Sequence, residues 1–582
     1  MPAPDRGPVR IANASGFFGD RMSALADVVR GGPIDVVTGD YLAEVTMGIL
    51  VKQRFKNPEL GYVPTFLTQL EPVLGTILER RIKVVVNAGG LNPHGLTAAL
   101  KARAEKAGLA PKIATLDGDD VRLRVEELRA GNDGFPSLES GTPLSTDPGW
   151  LYTANAYLGA WGIVRALAEG ADIVVCPRVT DASLVVGAAA WWHGWARDDW
   201  DRLAGAVAAG HVIECGAQAT GGNYSSFEEI GDLSRPGFPI AEIAADGSSV
   251  ITKHEGTAGA VSVGTVTAQL VYEVGGPRYL NPDVVTRLDT IALAEIAADR
   301  VSLRGARGEP PPPTTKVAMI GRGSYRNEML FGFVGLGIDA KIALFERVTR
   351  AANPKAALTF QRIGTANADA ASENEATVLL RVVAVHEDEA VVSRAFSSSL
   401  IEQGLSSYPG LFATDIPGPA RITASYFPTL VRQADLKPTV THHDGRMEEI
   451  PLTPTMIAPP GYDAPAAGTF AGATVRGPLG RLVDARSGDK GANANVGLWT
   501  RTDEAYGWLR AELTVARLRE LVPEAATLRI ERFELANLRA LNFVIHDLLA
   551  GGAVATLRFD RQAKALGEFL RGRHVDLPKG LL

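Results

Sequence analysis

Short apolar runs that end in small or polar residues, each followed by a helical pattern, recur through the first three hundred residues. Segments 9–20, 34–44, 82–95, 112–120 and 171–181 all read this way. Within them Val84–Val86 and Ile173–Val175 are continuously apolar, and Ile34–Val37 is apolar but for Asp35, as strands buried on both faces of a parallel sheet are. Helical patterns over 95–108 and 156–170 lie between them, so the spacing predicts βαβ units and an α/β body. Ligands of open α/β sheets bind beyond the carboxyl ends of the strands. The residues at those ends, 13–20, 40–44, 87–92, 117–120 and 178–181, are mostly Asn, Asp, Glu, Arg and Gly. A converging polar crevice follows if the strand order allows it.

Four prolines at 310–313 break this rhythm. A second α+β pattern follows, with a helix over 336–354 and strands over 357–364 and 376–396. A Pro/Gly/Ala/Thr-rich stretch then precedes a short terminal unit. That unit predicts strands at 480–486, 493–499, 527–535, 540–546 and 554–559, and helices at 506–522 and 562–572. Strands and helices in so short a unit suggest a ferredoxin-like α+β sandwich. The division is therefore an α/β body over 1–305, an α+β region over 314–450, a linker over 451–479 and a ferredoxin-like domain over 480–582.

Composition narrows the function. The chain has 582 residues, 46% of them hydrophobic, which predicts a packed core. A net charge of −7 without a basic stripe argues against nucleic acid as partner. Two cysteines, Cys176 and Cys215, exclude a disulfide framework and a Cys-rich zinc module. The N-terminus does not read as a signal peptide and no stretch is apolar enough for a span, so a cytoplasmic setting without membrane is expected. There is no dinucleotide fingerprint, phosphate loop, zinc-protease pair or nucleophile elbow. No redox cofactor is therefore implied and no metal ligands are assigned, while a divalent metal is left open.

Several polar groups invite chemistry. Asn87, Gly89, Gly90 and Asn92 follow a buried strand, where glycines let backbone approach a ligand and amides can hold a carbonyl; an ordinary strand-to-helix turn reads the same. Asp119 sits among Asp117 and Asp120, one of which is expected to cap the next helix. Arg178 and Asp181 form either a carboxylate- or phosphate-binding fork or a structural ion pair. Glu214, Cys215 and Gln218 adjoin a glycine-rich loop; Glu214 is a candidate acid/base, and Cys215 a nucleophile or a buried small hydrophobe. Near the end, Ser487-Gly488-Asp489-Lys490-Gly491 precedes Asn493 and Asn495, which share one face if extended. All five residues also suit a loop without function.

Several longer stretches carry a resemblance. They are VVVNAGGLNP (84–93), TANAYLGA (153–160), GADIVVCPRVTDASL (170–184), GHVIECGAQATGGNYS (210–225), GFPIAEI (237–243), ITKHEGTAGAVSVGTVTAQLVYEV (251–274) and YLNPDVV (279–285). These resemble the acyclic terpene utilisation family, and SGDKGANANV resembles the ferredoxin-like domain that accompanies it. The chain departs from the family's usual pattern at Pro177, Thr180 and Ala182, but keeps Arg178, Asp181 and Ser183. The resemblance implies breakdown of branched isoprenoid acids as coenzyme A thioesters, alongside biotin-dependent carboxylases. The expectation is an acyl-CoA lyase or hydratase, with Asp489 or Glu214 as base and Lys490, Asn493 and Asn495 as donors. Asn87, Gly89, Gly90, Asn92, Asp119, Arg178, Asp181 and Gln218 would bind substrate. The acyl-CoA is the expected small-molecule partner, and a homo-oligomer is expected. The alternative is a non-catalytic acyl-CoA-binding or assembly subunit.

Overall fold

The computed structural model describes residues 7–147, 149–453, 455–463, 465, 468–470 and 472–582. Five strands make the parallel centre of the large sheet: Val9–Asn13, Val36–Gly39, Lys83–Val86, Ile173–Val175 and Ile113–Asp117, in that spatial order. The apolar runs read from the sequence are these strands, and Val84, Val85, Ile173, Val174 and Val175 are fully buried. Antiparallel strands extend both edges: Pro239–Ile243 pairs with Val9–Asn13, and Thr439–Thr441 pairs with Ile113–Asp117. The sheet reaches eleven strands. The expected α/β class is present.

Two local differences position the site. The helix expected over 156–170 starts only at Trp161 and ends at Ala168. Before it, Leu151–Ala156 is a strand, and Tyr157–Ala160 is a connecting segment. Helix Trp200–Ile213 is buried almost all round from Leu203 onward, consistent with its Ala/Gly/Val-rich sequence. It therefore delivers Glu214, its C-terminal flanking residue, into the interior.

The C-terminal part forms an antiparallel sheet in the order Asp484–Lys490, Asn493–Trp499, Ala540–Ile545, Ile530–Leu535. Its core includes Val496, Leu498, Trp508, Leu509, Phe543 and Leu570. The helix expected over 506–522 is two helices, Asp503–Glu512 and Val515–Leu521, because Thr514 caps a new start by accepting from Arg517 N–H. The strand expected at 554–559 is turn and irregular chain; Gly551 and Gly552, with φ +85° and +76°, bend the backbone just before it. Strand His574–Pro578, not expected, pairs instead with Thr474–Pro478.

The body, residues up to 147, 151–320 and 426–582, forms one compact unit, so the C-terminal sheet belongs with the large sheet. The second unit comprises 148–150 and 321–425. Within it, residues 325–333 pair with Val378–His386, which pairs with Ala357–Ile363. Phe331, Phe333, Phe345 and Phe396 fill its core.

Candidate active site

The carboxyl ends of the parallel strands converge. After Val36–Gly39, Asp40 accepts a hydrogen bond from the Asn87 amide, which follows Lys83–Val86. The other end of that amide, Asn87 Oδ1, accepts Tyr41 N–H at 2.8 Å. After Ile113–Asp117, Asp119 accepts Arg178 N–H at 3.2 Å and the Asn155 amide at 2.8 Å. Arg178 is 4% exposed; it donates from Nη1 to Leu42 O at 2.7 Å and lies 3.2 Å from Asp181. Its guanidinium lies over the Tyr157 ring at 4.1 Å. After Val9–Asn13, the Asn13 amide donates to the carbonyls of Ile213 and Glu214, at 2.8 Å each, closing the end of the buried helix.

At that helix end Glu214 and His211 share one face, three residues apart. His211 Nδ1 lies 3.0 Å from Glu214 Oε1, and the His211 ring lies 4.9 Å from that of Tyr279. Glu214 Oε2 is buried with no hydrogen-bond partner in the protein. Burial pushes the Glu214 carboxyl well above the carboxylate range; Asp181 and Glu273 add to this, against Lys490 and Arg178. Asp181 and Asp40 are pushed up for the same first reason. Burial lowers His211 to about 4, so its imidazole is neutral near pH 7.

The C-terminal sheet supplies the opposite wall. Residues expected as a loop are a hairpin: Asp484–Lys490 and Asn493–Trp499 pair along their length, with Gly491 and Ala492 as the turn. Gly491, at φ +68°, takes the left-handed conformation that such a tight turn needs. The hairpin grips one residue of the body from both sides. Asn495 Oδ1 accepts Glu273 N–H at 2.7 Å, and Lys490 Nζ donates to Glu273 O at 2.9 Å. Glu273 itself holds a left-handed φ of +56°. The Lys490 ammonium lies 5.8 Å from the Tyr279 ring centre. Burial pushes the Glu273 carboxyl up, but Lys564, the Tyr272 hydroxyl, Lys490 and Arg486 outweigh this and hold it below the ordinary range. Burial, with Lys316, lowers Lys490, partly offset by Glu273, Asp181 and Glu214.

Lys490 is exposed, and Asp181, Cys215, Glu273 and Tyr279 keep intermediate exposure. Yet protein encloses all five closely enough that burial is the largest influence on their ionisation. Anionic and cationic groups therefore lie within electrostatic reach of one another.

The other expected site residues fall into different roles. Asn495 is fully buried; besides Glu273 it engages the Asn542 amide, while Asn542 donates to Val274 O at 2.9 Å. Asn493 Oδ1 accepts Asp547 N–H at 3.0 Å. Asp489 stands on the hairpin 3.4 Å from the Gln562 amide; burial, Glu273 and Glu44 push it up to about 8. Gln218 accepts from Arg486, whose guanidinium lies 4.2 Å from the Tyr272 ring centre, so it joins the hairpin to the body. Asn92 caps helix Pro93–Lys106 through Gly95 N–H and donates to Glu59 O at 2.8 Å. Gly89 lets the chain pass Cys176 O, where a Cβ would lie 2.6 Å away, and Gly90 takes φ +53°. Of the three aspartates, Asp120 accepts Arg122 N–H at 2.9 Å as an Asx turn, but the helical segments that follow start at Arg122 and Val125 without a side-chain cap, so the expected capping is not made. Burial, Glu273 and Glu214 push the Cys215 thiol well up, which disfavours a thiolate nucleophile.

Sequence reasoning missed His211, Glu273 and Tyr279. The i, i+3 spacing of His211 and Glu214 on a helix was a usable signal. Glu273 and Tyr279 had none, since their partners lie over two hundred residues away on the C-terminal hairpin. Among the described residues, no group of three or more His, Cys, Asp or Glu is arranged to hold a metal ion. Nor, among them, is any helix long and apolar enough to cross a membrane.

No curated protein and no solved structure matches the chain. The AtuA ferredoxin-like domain matches residues 477–576, which holds the hairpin with Lys490. The acyclic terpene utilisation family protein AtuA matches residues 9–442, which hold Arg178, Asp181, Glu214 and Glu273, and the chain belongs to that family.

Proposed function

We propose that the protein is a hydratase or lyase that moves protons on a branched, isoprenoid-derived acyl-CoA thioester. The observation that carries this reading is Lys490, bonded to the Glu273 carbonyl at 2.9 Å and within electrostatic reach of the enclosed acids Asp181, Glu214 and Glu273. Proton transfer next to a thioester needs a carboxyl that can carry the proton and a cation for the charge that develops on the thioester oxygen. Glu214 fits the first need: its pKa is raised, and its free Oε2 has no competing partner. Lys490 and Arg178 fit the second. His211, neutral and 3.0 Å from Glu214, relays or holds the proton. In the hydration direction, water would lose a proton to a carboxylate as its oxygen bonds to the β-carbon. The α-carbon would then take a proton from a carboxylic acid, with the negative charge resting on the thioester oxygen between the two steps.

The test is incubation of the full-length protein with unsaturated and 3-hydroxy branched acyl-CoA thioesters, followed by mass spectrometry. Gain or loss of water, or cleavage, is expected. Glu214→Gln and Lys490→Met should each lower turnover at least about 100-fold, the lower end of what a proton-transfer group contributes. Binding of the whole panel without turnover would replace this reading with a non-catalytic acyl-CoA-binding subunit.

A further inference from the structure

The proposed hydration needs one carboxyl to take a proton from water and another to give a proton to the α-carbon, and Glu214 fills only one of these places. A further set of polar groups shares the Tyr157 ring with Arg178. The Arg178 guanidinium lies 4.1 Å from the centre of that ring and the Lys316 ammonium 5.2 Å from it. Lys316 Nζ also lies 5.5 Å from the centre of the Tyr426 ring and 3.5 Å from Glu44 Oε1. Glu44 is the first residue of helix Glu44–Lys56, just past the carboxyl end of Val36–Gly39. The backbone fixes this grouping. Tyr157 N–H donates to Lys316 O at 2.8 Å, and its carbonyl accepts Thr315 Oγ1 at 2.8 Å.

The polar atoms of this set are left unsatisfied. Among the described residues the Lys316 ammonium makes no hydrogen bond, and its pairing with Glu44 is loose. Burial lowers the Lys316 pKa, but its neighbours, Tyr157 and Glu44 first, outweigh this and raise it, so it stays a cation. Glu44 Oε2, Arg178 Nε and the Tyr426 hydroxyl are buried with no hydrogen-bond partner in the protein. Tyr426 is only 5% exposed, and its hydroxyl stands within reach of Glu44 without a formed bond. Unpaired buried groups weaken a fold, so several at one place call for a polar molecule that pairs them. An ammonium and a hydroxyl suit the oxygen of water, and a carboxylate oxygen suits its proton. Water has access, since 28% of the Lys316 side chain and 14% of the Glu44 side chain are exposed.

We infer that Glu44 is the second catalytic carboxylate, taking the proton of the reacting water while the Lys316 ammonium and the Tyr426 hydroxyl hold that water's oxygen. The inference rests on the hydratase reading above. In hydration an O–H bond of water breaks and its proton passes to Glu44. The water oxygen bonds to the β-carbon, and the π electron pair moves to the thioester oxygen beside Arg178 and Lys490. Return of that pair to the α-carbon, which takes the Glu214 proton, completes the addition. Glu44 has then gained a proton and Glu214 lost one, and exchange with solvent restores both. Elimination of water runs the same steps backwards. The thioester oxygen and the β-carbon are close neighbours in the ligand, as Arg178 and Lys316 are across Tyr157.

The full-length protein in deuterium oxide tests this, with branched unsaturated acyl-CoA thioesters and their saturated counterparts, from dimethylacryloyl-CoA and isovaleryl-CoA upward in chain length. Mass spectrometry reads two steps separately. One is water addition to the unsaturated thioester. The other is deuterium entry at the α-carbon of the saturated one, which needs Glu214 but no reacting water. Glu44→Gln should lower water addition at least about 100-fold more than it lowers deuterium entry. Lys316→Met should split the two steps in the same direction, and it carries the test if Glu44→Gln fails to fold. Glu214→Gln should lower both steps together. If the Glu44 and Lys316 variants lower both steps equally, or neither, the inference falls and the hydratase reading stands. Wild-type deuterium entry without water addition overturns the inference and the hydration step, and keeps proton transfer at the thioester. A wild type that does neither overturns both.

Discussion

Replacing Asn495 with alanine tests how the C-terminal hairpin is held against the body. The Asn495 side chain accepts Glu273 N–H at 2.7 Å and donates to the Asn542 amide oxygen, and its exposure is zero. Asn495→Ala leaves that N–H buried without its acceptor, which costs about 1–3 kcal/mol. The Asn542 oxygen loses its donor as well, adding about 1 kcal/mol. Glu273 has φ +56°, a conformation that costs a non-glycine residue on the order of 1 kcal/mol and persists only while its surroundings hold it. Removing the acceptor frees the backbone to relax, so this strain deepens no loss and makes local opening the response. The expected net cost is about 2–4 kcal/mol, or about 30- to 1,000-fold in the local opening equilibrium. Hydrogen exchange resolved by mass spectrometry reads this directly. Peptides covering 271–276 should exchange faster by that factor, while peptides of the strands Ala540–Ile545 and Ile530–Leu535 keep most of their protection. Wild-type exchange at 271–276, with an unchanged melting temperature, would refute the claim that Asn495 holds the two parts together.

Two further outcomes follow from burial. Burial pushes Asp119 up to about 8, against the Asn155 amide that lowers it. The unfolded chain therefore releases this proton near pH 4 and the folded chain does so only near pH 8, so rising pH weakens folding across that window by at most about 1.4 kcal/mol per unit. Asp119→Asn keeps an acceptor for both hydrogen bonds and removes the titration. Its unfolding free energy relative to wild type should improve steadily from pH 5 to 8 in denaturant melts, and a pH-independent difference would count against the assignment. At Gly488 a Cβ would lie 2.4 Å from the Tyr272 ring. Gly488→Ala should cost about 1–3 kcal/mol by displacing that ring, seen as a lower denaturation midpoint, whereas no shift would mean the contact is loose.

The apolar stretches Val36–Val37, Val84–Val86 and Ile173–Val175 became central strands because only burial on both faces satisfies residues of that kind in a row. Local pattern failed where neighbours in the chain did not decide the outcome. The 156–170 pattern is helical in character, yet Tyr157 and Leu158 hydrogen-bond to Lys316 and Arg178 instead of to a helix. Strand His574–Pro578 exists because Thr474–Pro478 pairs with it from a hundred residues away. Asn495 looked like a donor to substrate, but its side chain is spent on Glu273 and Asn542.

By itself the sequence determined the α/β body, the ferredoxin-like end, the family and the acids and cations at the strand ends, since each follows from local periodicity or from a contiguous motif. Only the tertiary structure decided that Lys490 bonds the Glu273 backbone within electrostatic reach of Asp181 and Glu214, and that Tyr157 ties to Lys316 beneath the Arg178 guanidinium. Both facts depend on pairing across hundreds of residues, where chain closure and burial, and not neighbouring residue types, select the contacts.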